Sequence, residues 1–296
     1  MALVATIISS PVARALSDDA ATMAISALGA SRIEWLAPAV AADIAVPEHV
    51  DAADAGVRLR AALEGHPLDI AVQDRAGRRK KILIADMDST MIGQECIDEL
   101  ADEVGLRAQV ETITARAMDG EIAFEPALRE RVALLKGLPV EVVARVIAER
   151  ITLAPGGREL VATMRSDGAF TALVSGGFTL FTGPVAAMLG FHDNQANRLI
   201  EEDGVLTGHV DEPILGRSAK AEALRAIAAR LGLHTADAIA VGDGANDLDM
   251  LHLAGTGVAL HAKPSVAAQA RIRVDHGDLT ALLYLQGYSQ SEFSRP

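Results

Sequence analysis

The chain has 296 residues, long enough for about two domains at ~150 residues each, and half of it is apolar, as in folding globular proteins. Its 27 Lys and Arg against 40 Asp and Glu leave a net charge of −13, which repels phosphate backbones and anionic membranes. A single cysteine, Cys96, excludes an intramolecular disulfide and a Cys-rich zinc site, and aromatic residues at 3% are too sparse to stack on single-stranded nucleic acid.

No apolar run approaches the ~20 residues of a membrane helix. The start, Ala2 to Ile8 followed by Ala13-Arg14-Ala15, lacks the positive charge of a signal peptide. A buried first strand and a cytoplasmic location are expected. Val4 to Ile8 predicts that strand, and Ser17-Asp18-Asp19 opens a helix running to about Leu28. Two short strands follow, Arg32 to Leu36 and Ala42 to Val46, then a helix from about Asp51 to Leu63 and a strand from Leu68 to Val72. The order β-α-β-β-α-β is the ferredoxin-like split arrangement. Arg75 to Lys81 is basic and polar with one glycine; against the overall charge it reads as a solvated linker rather than a nucleic-acid patch.

The pattern then changes. Ile82 to Ala85 is continuously apolar, as in a central parallel strand. From about 93 to 151 there is no convincing strand; helical periodicity is broken at Gly105, Asp119-Gly120 and Gly137-Leu138-Pro139, a small helical insert. Ala169 to Val174, Ala238 to Val241 and Thr256 to Leu260 read as strands, each followed by helix-like sequence. A hairpin turning at Asp203-Gly204 is expected between Arg198 and Val210. Such alternation predicts an open α/β sheet that binds ligands beyond the carboxyl ends of its strands.

Three polar clusters follow apolar strands directly, so one sheet edge can collect them. The first is Asp86-Met87-Asp88-Ser89-Thr90. Carboxylates two apart in extended chain point the same way. Such a pair can ligate a hard cation such as Mg²⁺, or divide nucleophilic from acid–base work. The second is Ser175-Gly176-Gly177, whose hydroxyl and glycine-exposed N–H groups suit a phosphate cradle at a helix start. It is no nucleophile elbow, because Leu173 fills the first glycine position of Gly-x-Ser-x-Gly. The third is Gly242-Asp243-Gly244-Ala245-Asn246-Asp247. Asp247 stands where a dinucleotide loop needs a third glycine, and its acidic groups repel pyrophosphate unless a cation intervenes. Lys220, early in a helical stretch, by itself reads as a surface lysine. The 8 histidines show no metal-ligand spacing, Cys96 reads as a small buried apolar residue, and Trp35 as core or interface.

Taken together, Asp86-x-Asp88-x-Thr90, Ser175-Gly176, Lys220 and Gly242-Asp243-Gly244-x-Asn246-Asp247, in that order after successive strands, resemble the haloacid dehalogenase superfamily of phosphohydrolases. Glu95, the helical insert and the run from Phe124 through Arg131 to Gly137 resemble the phosphoserine phosphatases within it, over about residues 80–285. Met87 stands where relatives often carry Phe and stays apolar. The first unit resembles the ACT-like domains fused to some bacterial members. The resemblance implies an α/β Rossmannoid parallel sheet with a helical cap, preceded by a ferredoxin-like α+β domain. The expected division is 1–75 for the ACT-like module, 76–81 for a linker, 82–92 and 153–288 for the core, 93–152 for the cap and 289–296 for a tail.

The resemblance further implies that Asp86 is the nucleophile, forming an aspartyl-phosphate, and that Asp88 is the acid and base. Mg²⁺ would be held by the Asp86 carboxylate, the Asp88 main-chain carbonyl and Asp243, with Asp247 supporting them. Ser175, the Gly176 N–H and Lys220 would take phosphoryl oxygens, with Asn246 nearby. Glu95 would meet the ammonium of phosphoserine, and Arg131 its carboxylate. Two alternatives stand: a phosphatase of another small phosphomonoester, such as phosphohomoserine or phosphoethanolamine, and an amino-acid-sensing regulatory protein with a degenerate core. The complete acid, metal and lysine set argues against the second. An ion pump fails for want of a membrane segment, and because Asp88 supplies an acid–base. Serine or another amino acid is an expected ligand of the first module, whose pairing would give a homodimer.

Overall fold

The computed structural model describes residues 2–118 and 121–294. The opening apolar run forms β1 (Leu3–Ser9). Ser17 caps α1 (Asp18–Leu28), its hydroxyl accepting from the Ala20 N–H at 3.1 Å, and left-handed Gly29 closes it. β2 (Glu34–Ala37), β3 (Ala41–Ala45), α2 (Ala52–Ala62) and β4 (Leu68–Asp74) follow, completing the expected split β-α-β-β-α-β unit. Its antiparallel sheet runs β2-β3-β1-β4. One face packs Ala5, Ile7 and Ile44 under the two helices, while Ile8, Leu36 and Ala71 of the other face join the main core. Trp35 is not core: it lies 37% exposed on the edge strand β2.

β5 (Ile82–Ala85) enters the main sheet. The insert then supplies α3 (Cys96–Glu103), α4 (Arg107–Met118), α5 (Phe124–Ala133) and α6 (Glu141–Glu149), with no strand named among its described residues. Asp119-Gly120, expected to break it, lie outside the described residues. Its two crossings run side by side, Ile92 bridging Leu153. After α7 (Gly157–Ser166) come β6 (Phe170–Phe178), α8 (Thr179–Leu189) and β7 (Asp193–Asn197). β8 (Leu199–Glu202) and β9 (Val205–Val210) form the expected hairpin, with Asp203 and Gly204 both at positive φ, 50° and 79°. α9 (Arg217–Leu231), β10 (Ala238–Gly242), α10 (Leu248–Leu253), β11 (Thr256–Leu260), α11 (Pro264–Ala267), β12 (Ile272–Val274) and α12 (Ala281–Leu285) complete the order.

The parallel sheet runs β12-β11-β10-β5-β6-β7. β5 lies between β6 and β10, so the chain leaves it in one direction and returns on the other side. This is the switch point at which a doubly wound sheet opens a crevice. The two edge strands were not expected. β7 reads Asp-Asn-Gln-Ala-Asn with no apolar run, and β12 is three residues long, so neither carries the signal of a buried strand. The basic run between the two sheets is also less solvated than expected. Arg78 pairs with buried Asp43 at 2.6 Å, and Arg79 stacks over the Tyr288 ring at 4.0 Å. The Asp69 carboxylate accepts backbone N–H groups from Asp275, His276 and Gly277, tying β4 to the chain after β12. No helix among the described residues is long and apolar enough to cross a membrane.

Candidate active site

β5, β6 and β10 end beside one another, and at each end the apolar run gives way to one of the three polar clusters. The Asp86 N–H donates to the Val241 carbonyl at 3.0 Å, so the β5 loop is fixed to β10, and Asp86 Oδ1 accepts the Met87 N–H at 2.8 Å. Carboxylate oxygens of Asp86, Asp243 and Asp247 all lie within 4.8 Å of one another, and all three residues are buried. Lys220, in the first turn of α9, is no surface lysine: it is 3% exposed, with Nζ 2.7 Å from Asp86 Oδ1 and 2.5 Å from Asp247 Oδ1. Gly242 makes this packing possible, since a Cβ there would lie 2.3 Å from Asp247 Cγ. The other Asp247 oxygen accepts the Gly244 N–H at 2.9 Å, and Asp243 accepts the Thr90 hydroxyl at 3.1 Å.

Burial sets the charge balance. It raises Asp86 well above the usual carboxylate range, helped by the negative Asp247, and pushes Asp243 to about 6 with the same neighbour adding to it. Burial opposes the Lys220 ammonium, but Asp247 and Asp86 outweigh it and hold Lys220 above the ordinary lysine range. Three carboxylates and one ammonium, when all are ionised, leave two negative charges in a buried, all-oxygen donor set, which is why burial resists their ionisation until a cation joins them. That set fits a hard divalent cation such as Mg²⁺ and suits softer metals poorly.

The Asp88 carboxylate stands outside that cluster. Its Oδ1 accepts the N–H of Cys96, the first residue of α3, at 3.1 Å, and a Cβ on Gly177 would lie 2.8 Å from its other oxygen. Burial, then the nearby Glu95, push Asp88 to about 7. Cys96 is buried as expected, and burial raises its thiol far above the usual range; the unexpected part is its backbone N–H on Asp88.

The Ser175-Gly176-Gly177 segment departs from the expected helix start. α8 begins only at Thr179; the cradle is a bulge in β6, where three residues between the paired Val174 and Phe178 oppose the single Ala196 of β7. The Gly177 N–H donates to Ser175 Oγ at 2.9 Å, leaving the Ser175 hydroxyl hydrogen free to donate elsewhere. Asn246 stands across from the bulge, its Nδ2 3.9 Å from where a Gly176 Cβ would be.

The insert contributes the other end. Ser89, held at φ 55°, donates its hydroxyl to Glu95 Oε1 at 2.7 Å. Arg131 donates to the Ala127 carbonyl and the Thr114 hydroxyl, each at 3.3 Å, while Glu130 pairs with Arg116 instead. Arg131 is half-buried, with no carboxylate in contact among the described residues, and burial lowers its pKa. A cleft of about 420 Å³ joins the two ends, lined by Asp86, Asp88, Glu95, Arg131, Ser175, Gly176, Asp243 and Asn246, with Phe124 and Leu128 on its wall. Lys220 and Asp247 lie beneath its floor. Thr114 carries no signal of its own in the sequence, Ser89 is legible only as part of the Asp-x-Asp-x-Thr run, and Phe124 only as the start of the run that ends at Gly137.

A family model of haloacid dehalogenase-like hydrolases matches residues 83–252. The chain belongs to that family. The phosphoserine phosphatase of Methanocaldococcus jannaschii is 42% identical over 206 residues, which cover 70% of this chain and 97% of that protein. Phosphoserine phosphatase SerB2 of Mycobacterium tuberculosis is 42% identical over 235 residues, 79% of this chain; the match spans only 57% of the longer relative. Among solved structures, a haloacid dehalogenase-family hydrolase from Salmonella enterica serovar Typhi superposes with a TM-score of 0.86 at 29% identity, covering 96% of this chain and 98% of that one. That likeness extends over the N-terminal sheet. A phospho-aspartyl intermediate analogue of phosphoserine phosphatase gives a TM-score of 0.65 at 42% identity over 70% of this chain and 98% of that one.

Proposed function

We propose that the chain hydrolyses O-phospho-L-serine to L-serine and phosphate through a phospho-aspartate on Asp86. One observation carries this reading: a single cleft has paired carboxylates at one end, and at the other the Glu95 carboxylate, bonded to the Ser89 hydroxyl, and an Arg131 with no acidic contact among the described residues. That is the complement of a molecule bearing phosphate, ammonium and carboxylate. The relatives named phosphoserine phosphatase support the same substrate.

An Asp86 oxygen attacks phosphorus as the bond to the seryl oxygen breaks, and Asp88 gives that oxygen its proton. Asp88 then takes a proton from the water that attacks phosphorus, which restores the Asp86 carboxylate and releases phosphate. A carboxyl titrating near neutrality can serve in both directions. The Ser175 hydroxyl and Gly176 N–H meet the phosphoryl oxygens, Asn246 adds a donor from the facing side, and Lys220 contributes positive charge from below. The Asp86 and Asp243 carboxylates and the Asp88 carbonyl, with Asp247 behind them, would hold Mg²⁺, which would supply positive charge to offset the transferring group. Glu95 binds the ammonium and Arg131 the carboxylate, so the insert acts as the cap that selects substrate and excludes water.

In the same reading residues 1–75 form an ACT-like module, 76–81 its linker, 82–92 and 153–288 the core and 93–152 the cap. The module binds serine or another amino acid and pairs chains into a homodimer. Phosphate release from L-phosphoserine, phosphoethanolamine and phosphothreonine, each with Mg²⁺ and with EDTA, tests the central part. The expected result is strong selectivity for phosphoserine that EDTA abolishes. Equal activity on all three would discard the substrate, and no activity would discard the reaction.

A further inference from the structure

Asn197 ends β7 and is 2% exposed, a polar residue buried at an edge of the sheet. A buried amide must place its donors and acceptor. Its Nδ2 donates to the Gly176 carbonyl at 2.8 Å, with the Leu215 carbonyl at 3.5 Å, and its Oδ1 accepts the Leu215 N–H at 2.7 Å. Every one of these partners is backbone in one of two segments. Gly176 is the middle of the β6 bulge, and Leu215 leads through Gly216 into α9, where Lys220 sits in the first turn.

The bulge explains why a side chain is needed. Between Val174 and Phe178 the ladder to β7 is interrupted, so the backbone of β7 cannot hold the intervening peptides in register. The peptide between Gly176 and Gly177 is instead fixed at both ends: its N–H rests on Ser175 Oγ and its carbonyl on Asn197 Nδ2. With this peptide fixed, the Ser175 oxygen accepts from within the bulge and its hydroxyl hydrogen is left to donate elsewhere. The other end of the same amide pins the approach to α9.

We propose that Asn197 is a positioning residue for phosphoryl binding, one amide setting the Ser175-Gly176 half of the cradle at a fixed distance from the α9 segment that carries Lys220. The inference rests on the phosphatase reading above and adds a residue that never touches substrate. Loss of the amide lets the 176–177 peptide rotate, and displacements of ~1 Å at such a site cost up to ~100-fold in rate.

The test uses Asn197→Ala, with Asn197→Ser as a second variant should the first fail to fold, in the full chain with Mg²⁺. Hydrolysis of p-nitrophenyl phosphate is the reporter, with inorganic phosphate and L-serine as separate inhibitors and thermal melting as a check on folding. The expected result is a fall in kcat/KM of ~10- to 100-fold and an inhibition constant for phosphate raised about ten-fold, with that for L-serine unchanged. Because L-serine is held by the insert, a general loosening of the fold would move both constants together. Unchanged phosphate inhibition in a folded variant would overturn the proposal, as would equal weakening of phosphate and L-serine. If L-serine fails to inhibit the unmutated chain, the phosphoserine reading falls. The phosphate constants of the folded variants then still decide the role of Asn197.

Discussion

At the proposed phosphoryl end of the cleft, Asp86 and Asp247 are each anchored by a backbone N–H of the core, from Met87 and Gly244, and Asp88 alone takes its N–H from the insert, at Cys96. At the amino-acid end, Glu95 is held by the Ser89 hydroxyl, and Arg131 by its own helix and the Thr114 hydroxyl. Backbone at the end of a parallel strand is the stiffest support this fold offers, whereas helices of an insert with two crossings can shift as a body. The difference separates two tasks. In the proposed function, the chemistry common to phosphomonoesters rests mainly on core backbone, and substrate choice rests on side chains of the insert helices.

Substitutions sharpen that contrast. At the rigid end, Asp86→Asn removes the proposed nucleophile and should lower phosphate release by at least ~10⁴-fold while the melting temperature holds or rises, because a buried charge is lost. Lys220→Met leaves Asp86 and Asp247 facing each other without a cation and should cost ~3–5 kcal/mol of stability in EDTA, read by denaturant unfolding, with a smaller loss in Mg²⁺. Gly242→Ala places a methyl group 2.3 Å from Asp247 Cγ, so Asp247 must move; activity should fall ~100-fold, seen in steady-state kinetics. At the adjustable end, Ser89→Gly relieves the positive φ but frees Glu95. The expected change is a KM for phosphoserine about five-fold higher with kcat nearly unchanged, the worth of about one hydrogen bond.

The rigid end was also the more legible. Asp86, Ser175 and Asp243 follow apolar strands directly, and each lies at a strand end or bulge because such runs must be buried in the sheet. The helical insert and the Asp203-Gly204 hairpin were readable for the same kind of reason, since periodicity and turn chemistry are local. What failed to show were features created by tertiary packing. Lys220 is buried only because two distant carboxylates converge on it. The Ser175 loop became a bulge because β7 lies beside it, and β7 carries no apolar pattern. Asn197, hidden in that strand, was invisible without it.

The most direct test of the division between the two ends is the ratio of kcat/KM for L-phosphoserine to that for phosphoethanolamine, measured in the unmutated chain and in Arg131→Ala. Phosphoethanolamine lacks the carboxylate that Arg131 would grip. The account predicts that phosphoserine loses ~100-fold in the variant while phosphoethanolamine stays within a few-fold, so the ratio collapses. A ratio that is the same in both proteins would contradict it.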